Sequence, residues 1–297
     1  MNDPALFPAE VSSEDWALLQ HKQTIADLNW ILDSPPLFEG KDGLLSIIGE
    51  KGRILSRLET AATNFKSPSS RRVGLYFESL LNLCFDTDPN IKMEARHLQV
   101  FQGKRTLGEI DFCLRDQHGA RWRLESTIKF YLHHPISKAQ FGSDFVGPDP
   151  RDNFERKYHH LMDKQLRLCS PQLEPVDHAL PITRGIIFYH IHDSENQSRP
   201  STANPDHLRG IWMKASEWNE INAREFAFDQ AAHLPKPYWL SGIFNPGLTG
   251  SLLSWRDAGR ALKKHFEAFH SPLMMSLFSD GQEPSRCIVV NDLWPNA

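Results

Sequence analysis

Two neighbouring stretches hold residues whose types and spacing suit chemistry: EIDFCLR (109–115) and RWRLESTIKFYL (121–132). Both alternate with period two, the pattern of a β-strand with one buried face. One side of the first carries Glu109, Asp111 and Cys113; the matching side of the second carries Arg121, Arg123, Glu125, Thr127, Lys129 and Tyr131. The connection DQHGA is short enough for a hairpin, so polar side meets polar side and Asp111 and Glu125 point the same way. Two adjacent carboxylates repel unless a cation lies between them or one takes a proton. A hard-oxygen pair of this kind suits Mg²⁺ or Mn²⁺. A lysine on the same side can act on an attacking water or neutralise charge on a phosphoryl group. The combination is that of metal-assisted phosphodiester hydrolysis; the plain alternative is a set of charges facing water.

Two helical segments add polar groups to the same region. In RRVGLYFESLLNLCF (71–85), Glu78 sits inside an apolar run, where an acid is normally paired, metal-bound or at a boundary. In DNFERKYHHLMDKQLRL (152–168), the apolar positions are Phe154, Tyr158, Leu161 and Leu168, and Lys157 and Gln165 fall on or beside that stripe. A snorkelling Lys157 is the ordinary alternative.

The elements that must position these groups follow from pattern and punctuation. A helix is expected over 12–33, capped by Ser12 or Ser13 and stopped by Pro35 and Pro36, with a second over 52–63. Strands are expected at 93–101, 109–115 and 121–132, then a polar loop over 133–150 and a helix over 152–168 capped by Asp152 or Asn153. Further strands are expected at 184–192, 209–215, 273–278 and near RCIVV, with a helix at 254–270. The pattern implies an α/β (α+β) fold with a mixed sheet. Residues 1–69 read as a helical layer packed on a core formed by 70–297, within one continuous domain.

Composition narrows the class. The 297 residues are 40% hydrophobic and 24% charged, with a net charge of −4, which excludes a protein that coats nucleic acid through bulk charge. The charge is uneven: between Lys92 and Arg167 there are fourteen Lys/Arg against ten Asp/Glu. Cys84, Cys113, Cys169 and Cys287 form no CxxC pair and read as reduced, mostly buried thiols. With no basic, apolar leader and no apolar run near eighteen residues, the expected location is cytoplasmic and no membrane contact is expected. His190 and His192 share one expected strand face, without a third ligand in view. The adjacent pairs His133–His134 and His159–His160 point apart and are unsuited to a shared metal. Trp212, Trp218, Trp239 and Trp255 read as core or groove residues.

Together, Glu78 on a helix, GEIDF, a strand with an acid and a lysine, and a helix with Lys157 and Gln165 resemble the core of the PD-(D/E)XK nuclease-like superfamily. The strings RVGLYFESL, GEIDFCLRD, LESTIKFYL, VGPDPRDNFERK, DKQL, DHLRGIW and LPKPYWL resemble a bacterial family, domain of unknown function 1853, over most of the chain. The superfamily resemblance implies a restriction-endonuclease-like fold, a mixed central sheet flanked by helices with the site at a sheet edge. It implies Glu78 as the acid of the first core helix, Asp111 as the central metal-binding aspartate and Glu125 as the acid of the next strand. Mg²⁺ (or Mn²⁺) would bind Asp111 and Glu125, with Glu78 helping directly or through water. Lys129 or Lys157 would be the lysine, Gln165 the helix glutamine, and Arg121 and Arg123 would hold a nucleic-acid backbone. One departure matters. The superfamily's lysine stands two positions after the acid, where this chain has Thr127; Lys129 is four positions on, roughly 13 Å instead of roughly 7 Å at about 3.3 Å per residue. Either Lys129 leans back, or Lys157 replaces it, or the site has lost cleavage and the protein is a nucleic-acid-binding or protein-interaction module on the same fold.

Overall fold

A computed structural model describes residues 13–135, 143–169, 175–221, 228–242, 251–279 and 284–296. It is a mixed α/β fold built on a ten-stranded sheet. The strands are β1 (Ile91–Gln102), β2 (Arg105–Asp116), β3 (Arg121–His133), β4 (Phe145–Val146), β5 (His178–His190), β6 (Leu208–Lys214), β7 (Gln230–Leu234), β8 (Leu252–Ser254), β9 (Leu273–Phe278) and β10 (Ser285–Val290). They run in the order β1-β2-β3-β5-β6-β10-β9-β7-β8, with β4 joined to β3. The β3–β5, β5–β6 and β6–β10 pairs are parallel and the others antiparallel. The described helices are α1 (Ser13–Asp33), α2 (Gly43–Ile48), α3 (Gly52–Ala62), α4 (Val73–Thr87), α5 (Phe154–His159), α6 (Glu217–Glu220) and α7 (Trp255–Ala268).

The sheet is covered on both faces, and strand parity decides which residue goes where. Leu124, Ile128, Phe130 and Leu132 of β3 share one core with Phe77, Leu81 and Phe85 of α4 and with Leu28, Leu44, Ile54 and Leu58 of α1–α3. On the opposite face, Tyr131 of β3 and Ile187 and Tyr189 of β5 pack on Phe154 of α5 and on Leu161. Further along that face, Met213, Met275 and Val289 meet Trp218 of α6 and Leu262 of α7. The face of β3 that carries Arg123 and Glu125 therefore does not front water, while Lys129 is partly exposed at its margin. The alternation suggested a half-buried strand; β3 is almost wholly buried, because parallel pairing with β5 places it in the sheet interior and the segment 154–167 roofs its polar side.

The helices of the first seventy residues are tied to the sheet by one buried cation. Arg184, on β5, is fully buried. Its Nε donates to the Ile31 carbonyl in the last turn of α1 (2.7 Å), and its Nη2 to Asp42 Oδ2 (2.7 Å). Asp42 is also the N-cap of α2, accepting from the Leu44 amide at 3.1 Å. One guanidinium thus satisfies a helix-end carbonyl and anchors the start of the next helix. The next residue, Gly185, has φ +159°; a Cβ there would lie 2.0 Å from the Lys129 carbonyl, so only glycine lets β5 approach β3 at this point.

Most expected elements are present within a few residues. The helix expected over 152–168 is capped by Asn153, whose side chain accepts from the Arg156 amide at 2.9 Å. It is α-helical only to His159, then passes through a π turn (His160–Lys164) and a 3₁₀ turn (Gln165–Arg167). β5 begins earlier and ends at His190, and Ile191–Asp193 is a 3₁₀ turn, so His190 and His192 do not share a strand face. β4 lies in the stretch expected to be loop, and α2, α6, β7 and β8 are additional. Ser12 lies outside the described residues. Replacing Arg184 with Leu leaves the Asp42 carboxylate unpaired beside a buried carbonyl, with an expected loss of about 3–5 kcal/mol in denaturant unfolding; a change below about 1 kcal/mol would remove Arg184 from this role.

Candidate active site at the parting of two strands

The site is built where β2 and β3 separate. Their ladder runs from Arg115–Arg121 to Phe112–Leu124 and then stops. One step further in the same register, Asp111 stands opposite Glu125. At that point a side chain takes the place of a strand partner. The Ser126 amide donates to Asp111 Oδ2 at 2.7 Å, and the Ser126 hydroxyl donates to the same oxygen at 3.0 Å. Asp111 is thereby fixed through one oxygen, and among the described residues its Oδ1 has no hydrogen bond. Beyond this point no described strand pairs with the outer edge of β3 until β4 joins it at Leu132 and His133.

Glu125 is fully buried. Its Oε2 lies 3.4 Å from Gln165 Nε2, a long hydrogen bond, and among the described residues its Oε1 has no partner. The Gln165 Oε1 in turn accepts from Lys157 Nζ at 3.0 Å. Lys157, Gln165 and Glu125 are thus linked in a row from the roofing segment to the sheet. The π turn between Lys157 and Gln165 sets where the glutamine falls; such insertions in helices recur at functional sites.

The electrostatics follow from burial without a cation. Burial first, then the charge of Asp111, pushes the Glu125 carboxyl up to about 9; the charges of Arg123 and Lys157 and the Asp111 amide pull less strongly the other way. Burial also raises Asp111, against the two Ser126 hydrogen bonds that lower it. Glu78, on α4, is raised to about 7 by burial and then by Asp111. Lys157 is lowered by burial and by the neighbouring Lys129 charge, while Asp111, Asp152 and Glu125 hold it up. At neutral pH Glu125 therefore keeps its proton beside Asp111, as expected for like charges brought together in low dielectric.

The donor set fits a hard divalent cation. Glu125 Oε1 is a buried carboxylate oxygen with no partner, an expensive arrangement unless something else supplies one. Among the described residues no three His, Cys, Asp or Glu side chains are grouped closely enough to hold an ion together. Of the three expected ligands, Asp111 and Glu125 stand opposite each other across the parting strands, and Glu78 comes from α4, where the charge of Asp111 reaches it. Mg²⁺ is commonly held by one or two carboxylates with its remaining positions filled by water.

The other expected residues are placed as follows. Lys129 Nζ lies 2.5 Å from Asp152 Oδ2, and that acid, just before the cap of α5, holds its ammonium. Arg123 is buried and donates to the Leu166 and Leu168 carbonyls that end the roofing segment, so it is not available to a nucleic-acid backbone. Arg121 is half-buried, 3.4 Å from Glu94. Thr127 is buried. Sequence reasoning missed Ser126, whose only signal was its place beside Glu125. It also missed Asp152 as the partner of Lys129, although an acid directly before a helix cap was visible.

A family model for the domain of unknown function DUF1853 matches residues 26–290. The chain belongs to that family. No curated protein and no solved structure matches it. The matched span of the DUF1853 chain holds every residue of the site, from Glu78 to Gln165. Among its described residues, no helix is long and apolar enough to cross a membrane.

Two outcomes are expected. Glu125 has its proton affinity raised on folding, so its contribution to stability is fully present below about pH 4.5 and is lost as pH rises toward 9. Glu125→Gln should therefore be more stable than wild type at pH 9 in chelator, by roughly 1–3 kcal/mol, and no less stable near pH 4; equal stability at pH 9 would contradict the assignment. Conversely, cation binding needs the carboxylate. Mn²⁺ or Mg²⁺ affinity should rise between pH 7 and 9, and calorimetry in buffers of different ionisation enthalpy should report proton release at pH 7. Binding independent of pH over that range would remove Glu125 from the ligand set.

Proposed function

We propose that this DUF1853 protein is a metal-dependent nuclease that hydrolyses phosphodiester bonds of DNA or RNA, on a restriction-endonuclease-like arrangement of the sheet. The observation that carries the reading is the buried, half-unpartnered Glu125 carboxyl opposite Asp111, joined through Gln165 to a lysine. A core helix with Glu78, an antiparallel β2–β3 pair with the acids where it parts, and a returning helix with Lys157 and Gln165 support it in the same sense.

Asp111 and Glu125 would hold Mg²⁺ or Mn²⁺, which when bound would polarise a phosphoryl oxygen and acidify a water. Ser126 keeps Asp111 oriented by binding one oxygen and leaving the other free. Gln165 fixes the Glu125 carboxyl and the Lys157 ammonium relative to each other. In this reading Lys157, held by Gln165 beside Glu125, is the lysine of the site, and its ammonium would offset charge that builds up on the phosphate as the P–O bond breaks. Lys129 is held by Asp152 at the neighbouring cleft. In this reading Lys157 stands in for the lysine missing at position 127.

Thr127 also favours a second reading, a protein of the same fold that binds nucleic acid or a protein partner and does not cut. One experiment separates the two. Labelled DNA and RNA are incubated with Mg²⁺ or Mn²⁺ and wild type, Asp111→Ala, Lys157→Met or Lys129→Met. The nuclease reading expects cleavage by wild type, a loss on the order of 10²-fold or more in Asp111→Ala and Lys157→Met, and retention within about tenfold in Lys129→Met. Metal binding without cleavage would favour the second reading, and absence of both would overturn the first.

A further inference from the structure

Beside the acids, the unpaired edge of β3 forms the floor of a second feature. A cavity of about 750 Å³ opens against Ile128, Lys129 and Phe130, the stretch of β3 that β2 has left. Four cations line it: Arg71 and Arg72 from the start of α4, Lys129 from β3, and Lys236. Asp149 and Asp152 line it too, but both are engaged. Asp152 holds Lys129 at 2.5 Å, and Asp149 is bound by Arg151 at 2.8 Å. Among the described residues Arg71, Arg72 and Lys236 make no ion pair. Lys236 Nζ lies 4.7 Å above the Trp239 ring, a cation–π contact that leaves its hydrogens open to a further partner.

The helix end adds to this field. α4 has fifteen residues and begins at Val73, which lines the cavity; Arg72 caps it without a side-chain hydrogen bond. The first-turn amides and the positive end of the helix dipole therefore lie at the same wall as the two arginines. Four cations against two acids, the start of a helix and an apolar wall of Val73, Phe130 and Trp239 match an anion that carries a flat or apolar part. A nucleotide unit has that composition.

Size and position narrow the class further. The volume lies within the range of small-ligand sites, about 300–1,000 Å³, so it takes in one or two nucleotides and is too small for the stacked base pairs of a duplex. Position ties it to the site: Lys129 lines the cavity, and its charge acts on Lys157. We infer that this cleft binds the phosphates of a single nucleic-acid strand next to the bond to be cut, so that the substrate is single-stranded nucleic acid or an unpaired end. The inference rests on the nuclease reading for the word substrate; the binding itself does not need cleavage.

The test measures binding apart from cutting. Fluorescence anisotropy in chelator compares a labelled 12-nucleotide single strand with a duplex of the same length, for the full chain and for Arg72→Ala, Lys236→Ala and the double variant, each change being at an exposed position. Inorganic phosphate and a nucleoside monophosphate are added as competitors. The expected result is single-strand binding at least tenfold tighter than duplex, weakened severalfold by each substitution. The slope of log K against log salt should shrink by about 0.7 per cation removed. Equal binding of strand and duplex, or cation variants that bind the strand like wild type, would overturn the inference even if the protein cuts. So would binding of phosphate or mononucleotide alone with no strand binding. Strand binding that depends on Arg72 and Lys236 in a protein that never cuts would uphold the cleft and overturn only the nuclease reading.

Discussion

The structure turns on the replacement of a backbone partner by a carboxylate. Where β2 leaves β3, the Ser126 amide would be stranded inside the sheet; Asp111 accepts it, and the strands can part without an orphaned donor. That one hydrogen bond holds Asp111 beside Glu125, opens the edge of β3 to a cavity, and leaves two carboxylate oxygens unused. It also makes the two acids costly to ionise together, because Glu125 is buried and has an acid as its neighbour.

The rest of the fold keeps that arrangement dry and fixed. The segment 154–167 covers the polar side of β3. Arg123 secures its end by binding the Leu166 and Leu168 carbonyls, and Asn153 secures its start. Gln165 and Lys157 reach inward from this roof. On the far face, Arg184 fastens α1 and α2 to β5, the strand that runs alongside β3. Arginines that look alike in sequence thus do opposite work to a surface patch: Arg123 and Arg184 are internal fasteners, while Arg71 and Arg72 front the cleft.

Much of the core arrangement was legible in the sequence, for definite reasons. A short turn between two alternating strands fixes both pairing and parity, so Asp111 and Glu125 could be placed side by side. The polar positions of a helix with an apolar stripe identified Lys157 and Gln165. The pairing of Lys129 with Asp152 was not legible, because it is a contact across the fold. Nor was the covering of the polar face of β3, because period two describes a strand and says nothing of what packs above it. The same gap misread Arg123, whose partners are carbonyls more than forty residues away.

The proposed site depends on a Glu125 that keeps its proton at neutral pH when no cation is present. The direct measurement is a carbon-13 NMR titration of the glutamate side-chain carboxyls in chelator, with Glu125 assigned by comparison with Glu125→Gln. The account expects its resonance to titrate near pH 9 and to move to the ionised position when Mg²⁺ is added at pH 7. A Glu125 that titrates in the ordinary glutamate range, about 4.3, and does not respond to the cation would contradict it.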